Sequence, residues 1–276
     1  MSVFAEAKVD AHCHVLDPGR FPYAPDVAYR PSGQEVGTLE QYLQVMQAYG
    51  VRHALLVGPN SGYGLDNRCL LDALARGQGR FRGVAVARND ASREELLALR
   101  EAGIVGVAFN ATALGVEHYL SAGPLLRLLA ELDLFVSVQV EHDQLVALGP
   151  LLQASGVRLV FDHCGRPRAG GSLDQPGFQA LLAFARTGRA AVKLSGYQKF
   201  SRLPPPHQDA VPFVHALLEA FTPEACMWAS DWPFLRAPAR MDVGPLLVQF
   251  ERMVPSVADR LRIFWDTPRR WLGFGA

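Results

Sequence analysis

The sequence repeats one pattern along its length: a short apolar run, a polar turn, and then an amphipathic stretch. Eight of the apolar runs have the length of a strand, and several of them are apolar almost throughout. Such runs are typical of parallel strands that are covered on both faces. The predicted strands cover residues 9–14, 53–58, 82–87, 106–110, 135–141, 159–164, 191–195 and 226–231.

The stretches between these strands place leucine and alanine three and four residues apart, which is the spacing of one helix face. Two of them carry further helix signals, because Thr38 and Ser92 can cap their first turns and Gly50 and Gly103 follow their ends. The predicted helices cover residues 39–49, 68–76, 93–102, 124–133, 144–154, 178–187, 209–221 and 243–254, and a further amphipathic piece covers 257–265.

Eight strands that alternate with eight helices favour a closed (β/α)₈ barrel, a TIM-like α/β fold with a parallel sheet. An open doubly wound sheet is the alternative, but the Gly-rich phosphate turn that usually follows its first strand is missing after residue 14. The 276 residues suit one such barrel, which typically has about 250 residues, and no linker of low complexity divides them. We therefore expect one domain over residues 1–276.

The charge balance and the apolar runs narrow the range of partners. The 27 basic and 27 acidic residues cancel, so no charge excess would attract nucleic acid or an anionic membrane. No apolar run approaches the roughly 20 residues that cross a bilayer, and residues 1–10 lack the apolar core of a secretory signal. The four cysteines form no C-x-x-C pair, which indicates reduced thiols. We expect a cytoplasmic protein that acts on a small molecule, without nucleic acid or membrane as a partner.

Polar side chains gather where the predicted strands end, and in a barrel these ends form the catalytic rim. His12 and His14 end the first strand, and residues two apart in a strand point to the same face. Two imidazoles at that spacing can hold one atom, either a divalent metal or a substrate oxygen. The alternative is that both histidines only form local hydrogen bonds at the strand end.

Asp231 and His163 follow two other apolar runs. A carboxylate at that point is partly desolvated, which raises its pKa unless a cation or donor compensates, and this suits a general base. The alternatives are that Asp231 caps a turn and that His163 is a core histidine with satisfied hydrogen bonds. Strand alternation predicts that Asp162 faces the opposite way from His163.

Three motifs in this order resemble those of the amidohydrolase superfamily: VDAHCH at 9–14, DHCGRP at 162–167 and SDWP at 230–233. The resemblance covers nearly the whole chain, and its nearest branch comprises 2-pyrone-4,6-dicarboxylate lactonase and related lactonases. It implies a TIM-like barrel in which His12, His14, His163 and Asp231 occupy catalytic or metal-ligand positions. Zinc-dependent members use such a set to hold the metal and activate water. In metal-free lactonases it implies that the histidines polarise the carbonyl while the aspartate activates water.

The resemblance also points to substrate contacts. The dicarboxylate lactonases have an arginine within a G-V-R-F-N segment, whereas residues 106–110 have Ala108 at that position, which cannot pair with a carboxylate. Gln139 stands where those enzymes have a tyrosine, and Arg166, Lys199 and Tyr29 are further candidate contacts. A carboxylated lactone bound by fewer arginines, or a less charged one, suits such a pocket.

The leading hypothesis is therefore hydrolysis of a lactone or related cyclic ester. Asp231 takes the proton of the attacking water, and His12, His14 and His163 stabilise the oxyanion, directly or through a metal. We expect that no tightly bound cofactor is required; a divalent metal, zinc, held by these four residues is the alternative. The competing functions are a zinc-dependent decarboxylase of an aromatic or muconate-type acid and a binding protein without activity on the same barrel.

Overall fold

The computed structural model describes residues 2–275, and within that range eight strands form one parallel sheet. Each strand pairs with the next one along the chain, as the alternating pattern requires. The prediction of a (β/α)₈ barrel is confirmed. The strands are β1 (Lys8–Cys13), β2 (Val51–Val57), β3 (Phe81–Ala85), β4 (Ile104–Asn110), β5 (Phe135–Gln139), β6 (Leu159–Phe161), β7 (Ala190–Leu194) and β8 (Cys226–Trp228). That one domain spans residues 1–276 stays a prediction.

Helices lie between the strands and cover the outside of the sheet. The main ones are α1 (Leu39–Tyr49), α2 (Arg68–Arg76), α3 (Arg93–Glu101), α4 (Gly123–Glu131), α5 (Gln144–Ala154), α6 (Pro176–Phe184), α7 (Val211–Phe221), α8 (Val243–Met253), α9 (Val257–Leu261) and α10 (Thr267–Leu272). Thr38 and Ser92 cap α1 and α3 in complete capping boxes, and Gly50 ends α1 in the left-handed conformation. The predicted piece 257–265 is too short, because a π-helical turn, Arg262–Asp266, joins α9 to α10.

Several strands end earlier than predicted, which changes where the polar side chains point. The predicted strands 159–164 and 226–231 end at Phe161 and Trp228, in β6 and β8. Beyond these ends the backbone leaves the extended region, with φ of 51° at His163 and 60° at Asp231. Simple alternation therefore does not apply to either residue, and a tight turn directs each side chain instead.

Apolar side chains fill the inside of the barrel below the strand ends. They include Val9, Ala11, Leu55, Val84, Phe135, Val160, Ala191 and Met227, and Leu272 belongs to the same cluster. A second set of apolar residues packs the helices against the outside of the sheet. Among residues 2–275, no helix is both long enough and apolar enough to span a membrane.

The barrel closes between β1 and the segment after β8, next to the predicted site. The backbone N–H of Asp231 donates to His12 O at 2.9 Å, and that of His14 donates to Trp232 O at 2.8 Å. The buried Asp10 carboxylate accepts hydrogen bonds from the Ser230 backbone N–H at 2.8 Å and the Ser230 hydroxyl at 2.5 Å. These contacts fix the position of Asp231 relative to the two histidines.

Candidate active site

A cavity of about 900 Å³ lies at the C-terminal ends of the strands. Seven of the eight residues predicted from the sequence line it: His14, Tyr29, Gln139, His163, Arg166, Lys199 and Asp231. His12 is 1% exposed and lies beneath the cavity floor. Part of the long loop between β1 and α1, including Ala24 and Val27, forms one wall of the cavity.

The side chains of His12, His14, His163 and Asp231 converge on the Asp231 Oδ1 atom. The Nε2 atoms of the three histidines lie 3.8, 3.9 and 3.6 Å from it, in that order. The ligand atoms of His12, His163 and Asp231 all lie within 4.8 Å of one another, so this group could hold a divalent metal ion.

The hydrogen-bond partner of His14 Nδ1 shows which ring nitrogen carries the proton. Its Nδ1 lies 2.7 Å from the backbone oxygen of Val57, and because a carbonyl can only accept, Nδ1 carries the proton. Burial lowers the pKa of His14 to about 3, with His12 as a further cause, so the ring is neutral and its Nε2 is an acceptor. That Nε2 lies 3.2 Å from His12 Nε2.

A buried lysine that the sequence analysis did not single out indicates which nitrogen of His12 carries the proton. Lys193, in β7, is fully buried, and its Nζ lies 2.7 Å from Asp162 Oδ1, 3.1 Å from His12 Nδ1 and 3.2 Å from Ser137 Oγ. An ammonium has three donors, and each has one acceptor here. Asp162 Oδ1 lies farther from His12 Nδ1, at 3.5 Å, so the nearer ammonium favours Nδ1 as an acceptor, with the proton on Nε2 and donated to His14.

Asp162 does not face away from His163, contrary to the prediction from alternation. Its carboxylate points into the barrel, where it pairs with Lys193 and accepts the Ser137 hydroxyl at 3.0 Å. The reason is the positive φ at His163, which turns the chain so that Asp162 and His163 both contact His12. Burial alone would raise the pKa of Asp162, but the Lys193 ammonium overcomes it and holds the pKa well below the ordinary value.

Asp231 has one oxygen bound to protein groups and one directed toward the histidines. Its Oδ2 lies 2.9 Å from Lys199 Nζ and accepts from Gln198 Nε2 at 3.2 Å. Within the described residues, its buried Oδ1 has no hydrogen-bond donor. Burial by itself would raise the pKa of Asp231, yet the Lys199 ammonium holds it below its ordinary value, so the carboxylate is charged.

His163 fits its position because a glycine stands opposite. A Cβ at Gly196 would lie 2.7 Å from the His163 ring, and Gly196 has a φ of +67° that other residues rarely adopt. The His163 Nδ1 lies 3.1 Å from Ser195 Oγ, which can donate to it or accept from it. Burial lowers the pKa of His163 well below its ordinary value, so this ring is also neutral.

The predicted substrate contacts form two polar groups on the cavity wall. Arg166 forms a salt bridge with Glu141 at 2.9 Å. The Tyr29 hydroxyl donates to Glu35, and the guanidinium of Arg236, which the sequence had not singled out, lies 4.4 Å from the Tyr29 ring centre.

Gln139 belongs to the other group, at the ends of β4 and β5. Its Nε2 donates to Thr112 Oγ1 at 2.9 Å, and Thr112 donates to Asn110 Oδ1 at 2.7 Å. Asn110 Nδ2 in turn donates to Asn60 Oδ1 at 3.0 Å. This side of the cavity is therefore lined by neutral amides and hydroxyls.

Comparison with known proteins gives consistent matches over nearly the whole chain. The family model described as Amidohydrolase matches residues 9–274. The 4-sulfomuconolactone hydrolase of Rhizobium radiobacter is 34% identical, and the match covers 96% of this chain and 89% of that protein. The 2-pyrone-4,6-dicarboxylate hydrolase of Comamonas testosteroni is 30% identical, with 95% and 88% covered. A crystal structure of a candidate 2-pyrone-4,6-dicarboxylic acid hydrolase from Pseudomonas putida superposes with a TM-score of 0.86 at 30% identity, covering 100% of both chains.

Proposed function

The chain belongs to the amidohydrolase family, and we propose that it hydrolyses a lactone that carries an acidic group. One observation carries the proposal: a buried carboxylate oxygen without a donor within the described residues faces three imidazoles at 3.6–3.9 Å. Both relatives described above are named as hydrolases of small acidic lactones, which supports the same substrate class.

Water is activated by Asp231 in this proposal. Asp231 Oδ1 and His14 Nε2 are both acceptors, 3.9 Å apart, which suits the two O–H bonds of one water molecule. Asp231 takes the proton as the water oxygen attacks the lactone carbonyl carbon. The held-down pKa of Asp231 ensures that it is ionised before the reaction begins.

The developing oxyanion is stabilised by imidazole N–H groups. The Nε2–H of His12 donates a hydrogen bond to His14 Nε2 at 3.2 Å. A substrate carbonyl oxygen would compete with His14 for this donor. Once the carbonyl takes it, His14 Nε2 is free to accept from the water. His163 supplies a second donor when Ser195 donates to its Nδ1. Collapse of the tetrahedral intermediate breaks the ring C–O bond, and Asp231 returns the proton to the leaving oxygen.

Lys193 bears on whether a metal fits this site. A metal bound to His12 Nε2 needs the proton on Nδ1, because a ligating imidazole normally donates from its other nitrogen. Here that nitrogen lies 3.1 Å from the Lys193 ammonium, which has no acceptor to offer, and 3.5 Å from Asp162 Oδ1, so the nearer contact disfavours a proton on Nδ1. The donor types suit zinc, but the proton positions do not, and so we propose that no tightly bound metal is required.

The test is a pH-indicator screen of carboxylated lactones with the native protein and with Asp231→Asn. We expect ring opening by the native protein and a loss of about 10²–10⁴-fold in kcat for the variant. Carbon dioxide release from muconate-type or aromatic acids, with no lactone hydrolysed, would replace the proposal by the decarboxylase alternative.

A further inference from the structure

The charged groups of the cavity are distributed unevenly around the barrel. The lining cations belong to the segments after β6, β7 and β8: Arg166, Lys199 and Arg236. The strand order places the end of β4 across the barrel from β8, and the end of β5 lies next to that of β4. The lining residues that follow β2, β4 and β5 include no lysine or arginine within the described chain; Asp66 and Glu141 are acidic, and Glu141 is paired with Arg166.

This neutral side offers hydrogen bonds but no positive charge. Gln139, Thr112, Asn110 and Asn60 satisfy one another in a chain of three hydrogen bonds. Ala108, which lines the cavity beside them, has only a methyl group. A second anionic group bound here would lose part of its hydration and gain no cation as a partner, which is unfavourable. The neutral side therefore disfavours a substrate with an acidic group at both ends.

An apolar recess continues from the neutral side. It has a volume of about 620 Å³, and Asn60, Gly64, Leu65 and Leu114 line both it and the main cavity. Its other apolar lining residues are Val86, Ala87, Tyr119 and Pro124. Its rim also has polar residues, Arg88, Asn89, Asp90, His118 and Ser121. The charge of Arg88 is paired, with Asp90 at 3.0 Å and Glu95 at 3.1 Å.

Two leucines at the junction are unusually exposed. Leu65 is 56% exposed and Leu114 is 45% exposed, and both stand between the neutral side and the recess. Isolated surface leucines need no explanation, but two at the joint boundary of two cavities form an apolar contact surface for a ligand. Continuity with the active cavity means that one molecule can reach both spaces.

We propose that the substrate is a lactone with a single anionic group and an apolar substituent that occupies this recess. The inference rests on the proposed lactone hydrolysis and goes beyond it. The anionic group lies toward Arg166 and Arg236, the lactone carbonyl lies over the histidines, and the apolar substituent passes Leu65 and Leu114. This substrate differs from the dicarboxylate after which one relative is named.

The test uses monocarboxylated lactones that carry a methyl, propyl or pentyl substituent, and a comparison lactone whose substituent ends in a second carboxylate. Each buried methylene should raise kcat/KM by about two- to fourfold, because burying a CH₂ contributes about 0.8 kcal/mol at most. The dicarboxylated lactone should have a kcat/KM lower by at least about tenfold than the alkyl lactone of the same length.

Variants locate the effect in the recess. Leu65→Ser and Leu114→Ser should flatten the increase with chain length. Leu261→Ser is the matched control, because Leu261 is 52% exposed on α9, which lines neither space; it should keep the native chain-length ratio.

The outcomes separate this inference from the proposed function. Turnover of all lactones with no dependence on chain length, or a preference for the dicarboxylated lactone, overturns the inference and leaves lactone hydrolysis standing. A chain-length increase that survives both leucine substitutions also overturns it. If no lactone is opened, both the inference and the proposed function are wrong.

Discussion

Replacement of Lys193 by methionine tests the polar network beneath the site most severely. Methionine keeps the length and most of the volume of lysine but removes the ammonium. The change leaves the buried Asp162 carboxylate without its partner at 2.7 Å and withdraws the donors to His12 and Ser137. Breaking a buried ion pair from one side typically costs about 3–5 kcal/mol, and we expect a loss of unfolding free energy in that range for Lys193→Met.

The pH dependence of this loss has a definite sign. In the native protein the pKa of Asp162 is depressed, so its contribution to stability is present above the unfolded-state pKa and is lost as the pH falls through the folded-state value. Without Lys193, burial dominates and raises the pKa of Asp162. The variant should therefore recover stability relative to the native protein as the pH is lowered and Asp162 becomes protonated.

Urea unfolding at several pH values measures these free energies, and the double variant Lys193→Met/Asp162→Asn is the control. Because the double variant leaves no unpaired charge, it should be more stable than Lys193→Met alone, which gives a non-additive cycle. Nitrogen chemical shifts of the histidines would report whether His12 still carries its proton on Nε2. A variant within about 1 kcal/mol of the native protein, with an unchanged His12 tautomer, would refute the role given to Lys193.

Three further predictions concern the cavity. Asp231→Asn keeps the circular dichroism spectrum but loses about 10²–10⁴-fold in kcat, and a variant that retains most of its kcat on a confirmed substrate would rule out the general-base role. Lys199→Gln removes the ammonium that holds down the pKa of Asp231, so the acid limb of kcat/KM should move to higher pH; an unmoved limb would contradict this. Arg166→Met should raise KM for an acidic lactone far more than it lowers kcat, and an unchanged KM would remove Arg166 from the substrate site.

The fold was predictable because its signal is local and repeated. Each strand is a short apolar run, each main helix has its own three- and four-residue spacing, and the caps at Thr38 and Ser92 depend on neighbouring residues alone. The strand ends were predicted less well. The sequence does not reveal that His163 and Asp231 adopt positive φ, and those two turns end β6 and β8 early.

The sequence predicted that His12, His14, His163 and Asp231 lie close together, because all four stand at predicted strand ends. It did not predict their hydrogen bonds. Lys193 contacts His12 of β1, Ser137 of β5 and the residue after β6, so its role exists only after the barrel has closed. A lysine inside an otherwise apolar strand was the available signal. A buried ammonium requires acceptors, although the sequence cannot say which ones.

Strand alternation also predicted the relative directions of the Asp162 and His163 side chains wrongly. The period of two inside β6 continues through Asp162, whose backbone is still extended, and fails at His163, where the backbone turns with positive φ. Site residues of a barrel lie at such ends, so alternation is least informative for the residues that matter most to function.

We propose that this chain opens a lactone with Asp231 and its histidines and requires no tightly bound metal. The direct measurement is lactone hydrolysis before and after prolonged dialysis against a strong chelator, with metal content determined on the same samples. We expect that kcat/KM is unchanged while the metal content falls to a small fraction of one ion per chain. Activity that disappears with the metal and returns on addition of zinc or manganese would contradict it, and would make His12, His14, His163 and Asp231 ligands.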